Sequence, residues 1–184
     1  MFVKHLKIII NKAIQTGKFL NKWKIARVCP ILKSGDSSSI ENYRGISILN
    51  NFVKAFEMSL YDLIYAQSNQ HNFISVVQHG FMRSRSTISN LAEITQELSQ
   101  QFDDRGQIDV VYTDFSKAFD KITHRLIIHK LELLGFSDQL IRLLTSYLNQ
   151  RVQFVSYNGF QSKSYVVPSE VPQGANLGPL LFLY

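Results

Sequence analysis

Apolar positions recur at helical spacing over some stretches of this chain, and alternate or run together over others. Residues 2–16 carry an amphipathic helical pattern that Gly17 can end. Residues 23–33, WKIARVCPILK, mix β-branched and aliphatic residues and stop at Lys33-Ser34-Gly35-Asp36, which predicts a strand and a turn. Residues 41–49, ENYRGISIL, predict a second short strand. Pairing it with the first gives a basic hairpin with Lys33 and Arg44 near one end. Residues 50–66 place Phe52, Val53, Phe56, Leu60, Leu63 and Ile64 at helical spacing, and residues 86–102 do so with Ile88, Leu91, Ile94, Leu98 and Phe102. The connection QHGFMRSRST, 78–87, is polar and basic. Its Arg83 and Arg85 are open between contact with phosphate and membership of a solvated loop.

In the second half, QIDVVYT at 107–113 predicts a mostly buried strand with Asp114 directly at its exit. A helix is expected from about Thr123 to Leu134, ended by Gly135, and Ser137 is placed to cap another that reaches about Leu148. Residues 151–167 alternate around Asn158-Gly159, a dipeptide that signals a hairpin. SEVPQGANLGPLLFLY closes the chain as a Pro/Gly-rich turn running into an apolar segment. The order of elements does not alternate as βαβα. It predicts an α+β domain with an antiparallel sheet.

Composition adds bounds to this pattern. With 184 residues, 45% of them hydrophobic and 18% charged, the chain has the make-up of one globular domain. The net charge of +6 suits a polyanionic partner and equally suits plain solubility. The lone Cys29 excludes an internal disulfide. The opening apolar run is broken by Lys7 and Asn11 and is too short for a signal peptide core or a membrane span. The expected setting is intracellular, nucleus or cytoplasm, with no secretion and no membrane partner.

The candidate chemistry lies at DFSKAFD, 114–120. A carboxylate at a strand end is held rigidly with its oxygens facing outward, as a Mg²⁺ ligand requires. Spacing alone leaves Asp114 open between that role and capping a turn. Asp120 reads as a helix N-cap or a surface ion pair. His124 and His129 are five positions apart, which turns them roughly 140° from each other on a helix and makes them a poor chelating pair. There is no zinc-type Cys/His cluster, no P-loop and no Gly-x-Gly-x-x-Gly.

DFSKAFD resembles motif A of reverse transcriptases from non-LTR (LINE-type) retrotransposons, the jockey-like insect elements especially. WKIARVCPILKSGD and ENYRGISIL resemble the family's fingers motifs, and QHGFMRSRST its next block. HRLIIHKLELLGF and SYLNQRVQFV are similar to the stretch after motif A, and VPQGANLGPLLFLY to motif B. The blocks stand in the family's order over nearly the whole chain. Two positions depart from the pattern: Gly45 where Pro is usual, and Ala175 where Ser is usual.

The resemblance implies a partial right-hand polymerase, fingers plus an incomplete palm. Fingers would cover about 1–106 and 137–168, and palm portions about 107–136 and 169–184. The thumb and the family's motif C would lie outside the chain. The implied activity is RNA-directed DNA polymerisation, nucleotidyl transfer from a dNTP to a primer 3′-OH on an RNA template. Asp114, helped by the Phe115 backbone carbonyl, would hold two Mg²⁺ ions. Phe119 would be the steric gate under the incoming sugar. Lys33 and Arg44 would reach the triphosphate, and Gln173 and Gly174 would line the nucleotide pocket. Without the motif C aspartates, the 184 residues alone are expected to be inactive.

Two other functions compete with this one. One is a non-catalytic, nucleic-acid-binding remnant of such a polymerase. The other is a phosphohydrolase with Asp114 as nucleophile, which Ser116 disfavours because a second carboxylate is wanted there.

Overall fold

A computed structural model of the chain describes every residue except 1, 116, 117, 168 and 170, and at residues 2 and 120 the backbone alone. The order is α1 (Phe2–Thr16), β1 (Ile25–Leu32), β2 (Tyr43–Ile48), α2 (Asn51–Gln70), α3 (Thr87–Asp103), α4 (Ala118–Lys121), α5 (His124–Leu133), α6 (Asp138–Leu148), β3 (Arg151–Tyr157), β4 (Phe160–Gln161), β5 (Tyr165–Val167) and α7 (Leu177–Phe182). The mixed α+β composition expected from the pattern is present. No helix among the described residues is long and apolar enough to cross a membrane.

The caps explain where helices begin. The Asn50 side chain accepts from Phe52 N–H at the start of α2, Thr123 from Leu126 N–H at α5, and Ser137 from Leu140 N–H at α6. Ser86 and Ser89 form a reciprocal capping box at α3. Each such side chain satisfies a backbone donor that the first helical turn leaves open.

The core is built by one stripe of α2 (Val53, Phe56, Leu60, Ile64) against Ile127 and Leu131 of α5, Leu144 and Leu148 of α6, and Leu177, Leu180 and Leu181 of the last helix. Phe19 closes one end. Its ring lies 5.1 Å from Tyr147 and 5.3 Å from Phe56. Truncating any fully buried leucine here to alanine is expected to cost about 2–5 kcal/mol.

The sheet runs in the order β2-β1-β3-β4, with β5 also paired to β3. β1 and β2 form the expected antiparallel hairpin, with Ile31 opposite Arg44. The second hairpin turns at Asn158-Gly159, where both residues have positive φ (47° and 84°) and Tyr157 pairs with Phe160. That backbone matches the twist of the flanking strands, and Asn-Gly adopts it most readily.

Two expectations fail. The sheet is mixed rather than antiparallel, because β3 pairs with β1 in parallel, Arg27 opposite Phe154. The chain passes through α2 to α6 between these strands, a crossover long enough to bring β3 back in the same direction. Residues 107–113 form no strand and are not central. Val110, Val111 and Tyr112 are exposed, as are Ile88, Leu91 and Phe102 of α3. A strand is held by its ladder, and no described strand pairs with this segment.

Candidate active site

Asp114 and Phe115 lie in the non-helical stretch before α4 rather than at a strand exit, and both are exposed. They line a cavity of about 590 Å³ together with Lys121, Lys130, Phe182 and Tyr184. Asp114, Lys121 and Lys130 thus line one cavity, which brings a carboxylate and two cationic side chains to the same open space. The Asp114 donor set fits one corner of a Mg²⁺ octahedron, since that ion takes one or two carboxylates and fills the remainder with water and phosphate oxygens. Among the described residues lining this cavity, Asp114 is the one carboxylate. No cluster of three or more His, Cys, Asp or Glu side chains able to hold a metal occurs among the described residues. Asp120 falls in α4, and its side chain lies outside the described residues.

Phe119, on α4, ties the Asp114 segment to the end of the chain. Its ring is 4.7 Å from Phe182 and stands edge-on to Phe81 at 5.9 Å. Phe182 ends α7, so the aromatic contact joins DFSKAFD to VPQGANLGPLLFLY directly.

The other end of that final segment meets the sheet. Ser47 N–H, on the outer edge of β2, donates to the Gln173 carbonyl at 2.8 Å. Gly174 follows with φ of 103°, and a Cβ there would stand 3.0 Å from the Ser47 carbonyl oxygen. Glycine meets both demands, the unusual backbone and the close approach. Ala175, where a serine is usual in the family pattern, is buried, and its N–H donates to the Pro172 carbonyl at 3.0 Å. Arg44 lies on the same strand as Ser47, and Lys33 continues the β1–β2 ladder through its N–H to the Asn42 carbonyl at 2.8 Å. Both side chains are exposed. Alternation along the two strands puts them on one face of the hairpin.

A buried polar cluster backs this arrangement. Glu57 is fully buried, accepting from the Tyr147 hydroxyl at 2.6 Å and from Asn176 N–H at 2.8 Å. Burial pushes its carboxyl above the usual range, against the opposing pull of these donors and of Arg151. Burial, and then the charge of Glu57, push the Tyr147 hydroxyl well up. Arg151 donates to the Tyr147 carbonyl at 3.3 Å and lies 4.9 Å from that ring's centre. Its buried Nη2 has no hydrogen-bond partner among the described residues. Lys24 is also buried, and its ammonium is pushed down by burial and then by Arg151. Sequence reasoning missed Glu57. The available signal was a carboxylate inside the apolar stripe, four residues after Val53 and three before Leu60.

The basic connection is engaged by the chain itself. Arg83 is ion-paired with Asp62, and its guanidinium lies 5.0 Å from the ring centres of both Tyr61 and Tyr65. Arg85 reaches His79 Nε2 at 3.4 Å. His79 is buried and bridges to α3, 3.1 Å from Ser89 Oγ and 2.9 Å from Glu93.

The family described as reverse transcriptase (RNA-dependent DNA polymerase) matches residues 31–184. The chain is 31% identical to a probable RNA-directed DNA polymerase from transposon BS of Drosophila melanogaster, over 98% of this chain and 20% of that protein. It is 26% identical, with the same coverage, to the RNA-directed DNA polymerase from mobile element jockey of that organism. It is 27% identical to a retrovirus-related Pol polyprotein from the type-1 retrotransposable element R2 of Popillia japonica, over 90% of this chain and 23% of that one. The chain thus spans about a fifth of the length of these relatives. The chain belongs to the reverse transcriptase family, with RNA-directed DNA polymerases of retrotransposons as its relatives.

Proposed function

We propose that this chain is the fingers and part of the palm of a retrotransposon reverse transcriptase, with fingers at about 1–106 and 137–168 and palm at about 107–136 and 169–184. The observation that carries the proposal is the convergence on the final segment. Gln173 meets the strand that bears Arg44, and nine residues on, Phe182 meets Phe119 beside the Asp114 cavity. Two separate sequence blocks are thereby drawn to one short stretch of chain.

In this reading the substrates are a dNTP and a primer 3′-OH on an RNA template. Asp114, with the Phe115 carbonyl, would hold Mg²⁺. When bound, that ion stabilises charge on the phosphate undergoing in-line displacement. The chain's own groups do the remaining work. Lys33 and Arg44 neutralise the triphosphate from the hairpin, since guanidinium and ammonium groups make strong charge-assisted bonds to phosphate. Gln173 and the bare backbone of Gly174 form the floor on which the nucleotide rests. Phe119 presents a ring edge where a ribose 2′-OH would collide. Arg83, paired with Asp62, is a weaker candidate for phosphate contact than its sequence suggested, because phosphate would have to displace the carboxylate.

The test is binding of an RNA template annealed to a DNA primer by the purified chain, followed over a salt series. Release of condensed counterions makes the logarithm of affinity fall linearly with that of salt, by about 0.7–0.9 per phosphate neutralised. A slope corresponding to several phosphates is expected. Absent or salt-independent binding would remove the nucleic-acid reading.

A further inference from the structure

We infer that Glu57 is a positioning residue: its buried carboxylate fixes the Gln173–Gly174 turn against the edge of β2. This deepens the proposed function and rests on its reading of that turn as the nucleotide pocket.

The turn is clamped from two sides. From the sheet, Ser47 N–H holds the Gln173 carbonyl at 2.8 Å. From α2, Glu57 Oε2 receives Asn176 N–H at 2.8 Å, and the Lys54 carbonyl receives the Asn176 side-chain amide at 3.3 Å. Between the clamps sit Ala175, whose N–H closes the turn onto Pro172, and Gly174 with its positive φ. A turn with that backbone has few alternatives once both ends are tied.

Glu57 is itself held from behind. Its other oxygen accepts from Tyr147, whose ring is fully buried under Phe19. Swinging the carboxylate away would cost it the bond from this core hydroxyl. A buried carboxylate is a costly way to stabilise a fold, and a well-packed apolar residue of similar volume often does as well or better. What an apolar residue cannot do is dictate where a backbone N–H must lie. α2 also offers this turn the Lys54 carbonyl, which receives the Asn176 side chain, while the Asn176 backbone N–H is taken by Glu57.

The test compares Glu57→Leu, Glu57→Gln and Tyr147→Phe by amide hydrogen exchange in the 184-residue chain. Ser47 N–H is the reporter, because it touches Gln173 and not Glu57. Loss of the hydrogen bond from Asn176 N–H is worth about tenfold. Glu57→Leu is therefore expected to speed Ser47 exchange about tenfold while the amides of α5 keep their protection. Glu57→Gln retains one carbonyl oxygen for Asn176 and should restore most of the Ser47 protection. If Glu57→Leu does not fold, Tyr147→Phe, which keeps the ring and frees the carboxylate, should speed Ser47 exchange selectively. Unchanged Ser47 exchange in the folded variants, or equal loss across α5, overturns the inference. A second arm measures dNTP affinity of the chain bound to primer–template, expected to fall with Ser47 protection across the variants. Wild type without dNTP affinity would count against the nucleotide-pocket reading, and the exchange result would still decide the positioning role.

Discussion

At the residue scale, Gly174 and Phe119 make the sharpest claims. Gly174→Ala forces a side chain into a left-handed backbone and against the Ser47 carbonyl. Strain of this kind costs of the order of 1–3 kcal/mol. The variant should unfold at lower urea concentration than wild type by a corresponding amount, and an unshifted midpoint would mean that the turn can rearrange freely. Phe119→Ala removes the proposed wall against a 2′-OH. In an active polymerase carrying this segment, it should raise ribonucleotide use relative to deoxyribonucleotide use by about tenfold or more, the scale of about 1.4 kcal/mol in a transition-state difference. Equal loss of both activities would reduce Phe119 to its packing role between Phe81 and Phe182. The candidate residues carried by motifs could be named from sequence because each belongs to a recognisable block. Glu57 was not, because a single acidic residue on a helix usually faces water, and only the packing of α6 and α7 around it reveals its partners.

At the element scale, local chemistry wrote most of the structure. Asn158-Gly159, the caps Asn50, Thr123 and Ser137, and the spacing of apolar residues in α2 and α6 act within a few residues, so the sequence exposes them. Pairing between distant segments is not written locally. The parallel alignment of β3 with β1 depends on how the intervening helices pack, which periodicity cannot express. Residues 107–113 show the same limit from the other side. Their Val-Val-Tyr run has strand propensity, but without a ladder partner among the described strands they stay exposed. Across elements, Glu57 gives the fold a pH signature. Its carboxyl is raised in the folded state, so the folded form holds that proton more strongly than the unfolded form does. Its stabilising contribution is complete below the unfolded value, about 4.3. It is lost as pH rises through the raised folded value. In Glu57→Gln this dependence is absent. The stability of wild type relative to Glu57→Gln should therefore decline from pH 4 upward, as read from urea unfolding at several pH values. A difference that grew with pH would mean the donors around Glu57 outweigh its burial.

At the scale of the whole molecule, the chain is a basic α+β unit whose core joins α2, α5, α6 and α7 and whose sheet edge receives the turn before α7. In the proposed function, Asp114 would hold the metal ion for phosphoryl transfer. The direct measurement is primer extension on an RNA template with Mg²⁺ and dNTPs. It uses a polymerase in which these 184 residues replace the corresponding fifth of the jockey relative, with and without Asp114→Ala. Removal of a metal-holding carboxylate takes away charge stabilisation on which phosphoryl transfer depends, so extension should fall by about 10³-fold or more. Primer–template binding should persist, since it draws on basic surface elsewhere. Extension by Asp114→Ala at a rate close to that of its parent would contradict the account.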